Sequence, residues 1–166
     1  MVLKDGHLFL ILLSSIVYFV LSLYCAFIRK SAGIVFLMIL MALLSVQGVL
    51  SICELLADGL DAKLFWRNLQ QIPLYSTSIL LLGVIMSYMR VDGKIRRRTI
   101  LVLGAVVTLY WILLFTDSHH HLIRREVWIE PYGRYERIGL SSMPLGWLSY
   151  LSIQSISFWG LALLAG

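Results

Sequence analysis

The stretch LYSTSILLLGVIMSYMRVDGKIRRRTILVLGAVVTLYWILLF, Leu74–Phe115, decides the fold. Two apolar segments flank the short sequence RVDGKIRRR (Arg90–Arg98), in which five of nine residues are Lys or Arg. The same alternation runs along the whole chain. Apolar runs at Leu8–Ile28, Ile34–Ala57, Leu69–Met89, Thr99–Phe115 and Leu145–Ala165 are separated by short charged segments. A helix needs about 20 such residues to cross a hydrocarbon layer about 30 Å thick, and each run reaches or approaches that length. The reading is an all-α, polytopic membrane bundle of about five transmembrane helices, filling residues 1–166 as one unit.

Composition agrees. Of 166 residues, 60% are hydrophobic and 14% charged, with a mean hydropathy of +0.87. A soluble domain is about 45–50% apolar and about 25% charged. The net charge of +5 and pI near 9.4 do not argue for nucleic acid, because the basic residues cluster beside the spans, where anionic lipid and topology account for them. The first run is too long for a signal-peptide core and lacks a small-residue cleavage site before Arg29-Lys30, so it reads as a retained helix. Cys25 and Cys53 fall at opposite ends of their helices, too far apart for a disulfide, and neither has the neighbours of a metal ligand.

Charge position sets the expected orientation. With the N-terminus outside, Arg29, Lys30, Arg90, Lys94, Arg96, Arg97 and Arg98 lie inside, and Lys4, Lys63, Arg67, Arg124, Arg125, Arg134 and Arg137 lie outside. The numbers tie. The inner charges, however, sit in short loops against helix ends, whereas four outer ones occupy the long Thr116–Pro144 segment, where the positive-inside rule is weak. The expectation is N-out, C-in. Alternation in REVWIEPYGRYERIGL suits a β-hairpin turning at Pro131–Gly133 within the long outer loop. The segment Asp58–Trp66 reads as a short loop.

Polar stripes interrupt the apolar runs. Gln47, Ser51, Glu54 and Asp58 are spaced four, three and four, which places them on one helix face; Trp66, Gln70, Pro73 and Thr77 repeat the spacing, and Ser15, Tyr18, Ser22 and Cys25 line up similarly. Lipid rejects such stripes, so they should face the interior or a wet crevice. Glu54 is the sharpest candidate for ligand contact, with Arg67 placed to pair with it. Pro73 removes a backbone hydrogen bond beside Gln70 and Gln71 and is the candidate hinge. In TDSHHHL (Thr116–Leu122) three successive histidines suggest a metal, but on a helix they diverge by about 100° each, and a polar cap or ligand contact fits better. No metal and no cofactor is expected. Catalytic signatures such as HExxH or a Walker loop do not occur.

Two of these motifs occur together in a known setting. FWRNLQQIPLY (Phe65–Tyr75) and FTDSHHHL (Phe115–Leu122) resemble the N-terminal seven-helix membrane region of some bacterial, especially Gram-positive, histidine kinases and diguanylate cyclases. In that family a Trp precedes a Pro-bearing helix, and a Thr-(Asn/Asp)-x-x-His motif closes the fourth helix. Trp66 and Pro73 match the first motif; Thr116, Asp117 and His120 match the second. The chain departs from the family in showing five runs rather than seven and no kinase, cyclase or PAS domain, which suggests the first helices of a larger sensor.

The resemblance implies a bacterial plasma-membrane sensor for an extracellular or membrane-borne small ligand. Glu54, Trp66, Arg67, Gln70, Gln71, Asp117 and His120 would contact that ligand, and a helix shift would pass to a cytoplasmic output domain, with homodimerisation through that domain. A small membrane enzyme or metal-handling protein using Glu54, Asp117 and His119–His121 is the competing reading, and a purely structural or transporter subunit is a third. The orientation has a direct test. A Cys introduced at Ser118 should react with an impermeant thiol reagent on intact cells while one at Thr99 should not, and the reverse pattern would invert the topology.

Overall fold

The computed structural model describes residues 2–28, 30–132 and 135–142, together with residues 151 and 155. Apart from those two isolated positions, the apolar run 145–165 lies outside the described residues. Four long helices appear: α1 (Val2–Phe27), α2 (Ala32–Leu56), α3 (Leu60–Tyr88) and α4 (Gly93–Phe115). All four are long and apolar enough to cross a membrane. A single short turn, α5 (Asp117–His120), leads into an antiparallel hairpin, β1 (Arg124–Tyr132) and β2 (Tyr135–Ser142).

Local chemistry starts the helices. Ser31 caps α2, its Oγ accepting from the Ile34 amide at 3.4 Å, and Asp92 caps α4, its Oδ1 accepting from the Lys94 and Ile95 amides at 2.7 and 3.4 Å. Each side chain satisfies amides that the helix itself leaves open. Before α3, Gly59 takes φ +81, a left-handed conformation that glycine adopts without strain.

The helices pack in sequence order, α1 on α2, α2 on α3 and α3 on α4. Their outward faces expose Phe9, Leu10, Phe19, Val102, Val106 and Leu109, as expected for surfaces facing lipid. The seams use small and polar groups instead. Ser22 Oγ donates to the Met38 carbonyl at 2.9 Å, and the Gly83 backbone lies against the Phe36 ring. Ser15, Ser22 and Cys25 are buried and Tyr18 is half-buried, so the first polar stripe faces inward as its spacing predicts. In lipid, apolar attraction between helices is weak, and close backbone approach through such residues supplies the packing.

Two sequence boundaries need correction. The segment Asp58–Trp66 is not a loop over most of its length, because α3 begins at Leu60. Its nine residues before Leu69 add about 13 Å of helix beyond the apolar run at 1.5 Å per residue. Pro131, expected in the hairpin turn, is a strand residue paired with Glu136, and the pairing runs on to Tyr132 with Tyr135. The hairpin packs against the ends of α2 and α3 through β2. Ile123 and Ile138 are buried there, and the Trp128 indole lies over Gly139, its partner across the strands.

The tightest helix contact gives a prediction. A Cβ at Gly48 would fall 1.9 Å from Ser15 Oγ and 3.2 Å from Ser15 Cβ. Gly48→Ala should destabilise the protein by about 1–3 kcal/mol. Ser15→Ala in the same chain should restore most of the loss, measured as thermal unfolding in detergent.

Candidate functional site

The second and third polar stripes meet where α2 ends and the extension of α3 begins. Glu54, two residues before the end of α2, is 3% exposed. Its Oε2 accepts from Gln70 Nε2 and, at 3.3 Å, from Arg67 Nη1. Gln70 Nε2 also approaches the Leu50 carbonyl at 3.4 Å, and Ser51 Oγ bridges the Gln47 carbonyl and Gln70 Oε1. The i, i+3, i+4 spacing on each helix puts these groups on facing surfaces, so the stripes pair with one another rather than with lipid.

One half of the carboxylate stays unused. Among the described residues, Glu54 Oε1 is buried without a hydrogen-bond partner, as are Gln47 Oε1 two turns away along α2 and Arg67 Nε. Buried polar atoms are normally paired, so two such atoms within one ion pair mark a place where a further polar group fits.

Lys63 was the residue hidden from sequence reading, which placed it among outer-loop cations. It is 2% exposed. Its Nζ donates to the Glu54 carbonyl at 3.2 Å and to the Glu136 carbonyl of β2 at 2.8 Å. A single ammonium therefore joins the last turn of α2, the first turns of α3 and the β-hairpin. The available signal was spacing: Lys63, Arg67 and Gln70 are four and three apart, continuing the α3 stripe upward.

A second polar group lies beside the first. Asp117, 5% exposed, accepts from the amides of Ile123 and Arg124 through its two carboxylate oxygens at 2.8 and 3.1 Å. Arg124 Nη2 donates to Asn68 Oδ1 on α3, one residue beyond Arg67. Burial pushes the Arg124 guanidinium below its ordinary range, and the Asp117 carboxylate opposes that shift. Deeper along α3, the Tyr75 hydroxyl donates to that of Tyr110 on α4 at 3.1 Å, with ring centroids 4.8 Å apart.

The sequence-predicted residues thus divide. Glu54, Arg67 and Gln70 come together. Trp66 is half-buried and stands edge-on to Phe65, with ring centroids 5.5 Å apart. Gln71 is half-buried, and no hydrogen bond joins it to Glu54 among the described residues. Asp117 holds the start of the hairpin. His120 falls in α5, but its side chain lies outside the described residues, while His119 and His121 are exposed. Asp58, the outermost member of the α2 stripe, is exposed beyond the helix end. Among the described residues no three His, Cys, Asp or Glu side chains stand close enough to share a metal ion.

Several apolar spanning helices with buried polar seams define a multi-pass membrane protein. The family model for the N-terminal 7TM region of histidine kinase matches residues 10–166, and the chain belongs to that family. It is accordingly a membrane sensor region of the signal-transducing histidine-kinase type, distinct from the catalytic part of such kinases. Comparisons with curated proteins and with solved structures give no match.

The Lys63 contacts predict a mechanical result. Lys63→Met keeps the apolar stem but leaves the Glu54 and Glu136 carbonyls without their donor, and should destabilise hairpin docking by about 2–4 kcal/mol. Protease cleavage within the hairpin should accelerate while cleavage in the loop between α3 and α4 stays unchanged.

Proposed function

We propose that this region senses a small extracellular or membrane-borne ligand at the Glu54–Arg67–Gln70 cluster, beneath the hairpin. A helix shift then passes to a cytoplasmic output domain. The unpartnered Glu54 Oε1, buried beside an arginine that already binds the other carboxylate oxygen, is the observation that carries this reading. A ligand group that donates to Oε1, or competes for Arg67, changes the contact between α2 and α3. It biases the helix arrangement only by the difference in its affinity for the two states.

Family membership and the four spanning helices support a multi-pass position in the membrane. The bacterial plasma membrane, the N-out orientation and homodimerisation through the output domain are parts of the same proposal. Trp66, Gln71, Asp117 and His120 belong to it as surrounding contacts.

Pro73 supplies the compliant point. It is buried one turn below Leu69 and Gln70, and α3 continues through it. Its ring leaves the carbonyl four residues earlier without the usual amide, which lowers the resistance to bending there.

Two substitutions in the full-length kinase test the assignment. Glu54→Gln keeps the shape and removes the charge, and should change basal autophosphorylation in membranes by about tenfold, the equivalent of about 1.4 kcal/mol between states. Pro73→Ala should raise thermal stability by about 1–3 kcal/mol and flatten the output response. Wild-type autophosphorylation in both variants, at every level of conditioned medium added, would remove the cluster and the hinge from the signalling path.

A further inference from the structure

A cavity lies at the opposite, basic end of the bundle. It has a volume of about 640 Å³ and sits between the start of α2 and the end of α3. Arg90, Arg96, Ser31 and Ser87 contribute its polar lining, and Leu37 and Val84 contribute apolar wall. No carboxylate belongs to the lining among the described residues. The nearby Asp92 is engaged by the Lys94 and Ile95 amides.

We propose that this cavity binds the phosphate headgroup of an anionic phospholipid, with its acyl chains running along the Leu37–Val84 wall. The Arg96 guanidinium is positioned in advance. Its Nη1 donates to Ser87 Oγ at 3.2 Å, and Ser87 Oγ donates to the Gly83 carbonyl at 2.8 Å. Paired guanidiniums suit a phosphate because each presents a planar fork of donors.

Arg90 adds an independent observation. It closes α3 in the left-handed region, φ 57, with the Val91 amide bonded to the Met86 carbonyl and the Arg90 amide to the Ser87 carbonyl. That hydrogen-bond pattern favours glycine at this position. An arginine accepts local strain there, and the strain coincides with a guanidinium lining the cavity. A phosphate source without acyl chains would leave the apolar wall unused, so the lipid is the better match.

The test uses purified protein in neutral detergent, with phosphatidylglycerol or phosphatidylcholine added and retained lipid counted by native mass spectrometry. The protein should hold phosphatidylglycerol roughly tenfold more tightly than phosphatidylcholine. Arg90→Gln with Arg96→Gln should abolish that preference. The same charge change at the exposed Arg97 and Arg98, which do not line the cavity, should leave it intact. Arg90→Gly separates the two roles of that residue, since it should raise the melting temperature yet weaken phosphatidylglycerol retention.

Equal retention of the two lipids by the unaltered protein would overturn the proposal without any variant. Equal losses from both arginine pairs would replace the site by diffuse surface charge. Displacement of the lipid by millimolar inorganic phosphate would make the ligand a free anion instead.

Discussion

The buried ammonium of Lys63 is the constraint on which the hairpin end of the molecule depends. Removing a charge from water is expensive unless polar partners surround it. Two backbone carbonyls, those of Glu54 and Glu136, replace part of its hydration shell. The Glu54 carbonyl belongs to the last turn of α2, where four carbonyls lack helical partners, so the lysine satisfies one end of that helix while its own charge is satisfied. The other carbonyl comes from β2. Neither contact forms unless α3 starts early enough to carry Lys63 above the apolar span, so the helical extension, the helix end and the hairpin are conditions of one another.

That interdependence explains how a β-hairpin holds its place on a membrane bundle. An isolated two-stranded hairpin is only marginally stable in water. Here one face rests on the helix ends through the buried Ile123 and Ile138, and Glu136 lies two residues from Ile138 on the same side of its strand. Arg124 bonds Asn68 across the same junction, and Asp117 closes the turn that delivers β1 to it. Polar contacts give the dock its register, and apolar burial supplies part of its strength.

Much of this was legible in residue spacing, because membrane helices advertise their faces strongly. The four-three-four interval put Ser51 and Glu54 on one surface and Gln70 on the surface facing it. Alternation marked the hairpin. Hydropathy failed at Lys63 and Asp61, where charge reads as loop although the chain is helical; a hydropathy window registers transfer to lipid and cannot distinguish a loop from a helix standing above the bilayer. Asp117 matches a motif residue, and its carboxylate also accepts two hairpin amides, a tertiary role invisible in local spacing. Asp58 kept the interval of its stripe but not its environment, because α2 had already ended at Leu56.

The location of the unused polar atoms bears on how a signal travels. Glu54 uses its backbone carbonyl to hold Lys63 and one carboxylate oxygen to hold Arg67 and Gln70, leaving Oε1 open. Any group that pulls on Oε1 therefore acts on a residue already tied to the hairpin through Lys63 and to α3 through two side chains. In the proposed signalling step, rearranging that node would change the axial relation of α2 to α3, and both helices continue to the opposite end of the bundle. There α2 begins and α3 ends beside the cavity lined by Arg90 and Arg96. Under that proposal a sliding or tilting of one helix against the other would be felt at both ends, because helices that bury their own hydrogen bonds move more readily as rods than they unravel in lipid. The same two helices thus connect the Glu54 cluster with the basic cavity, without requiring a continuous polar path between them.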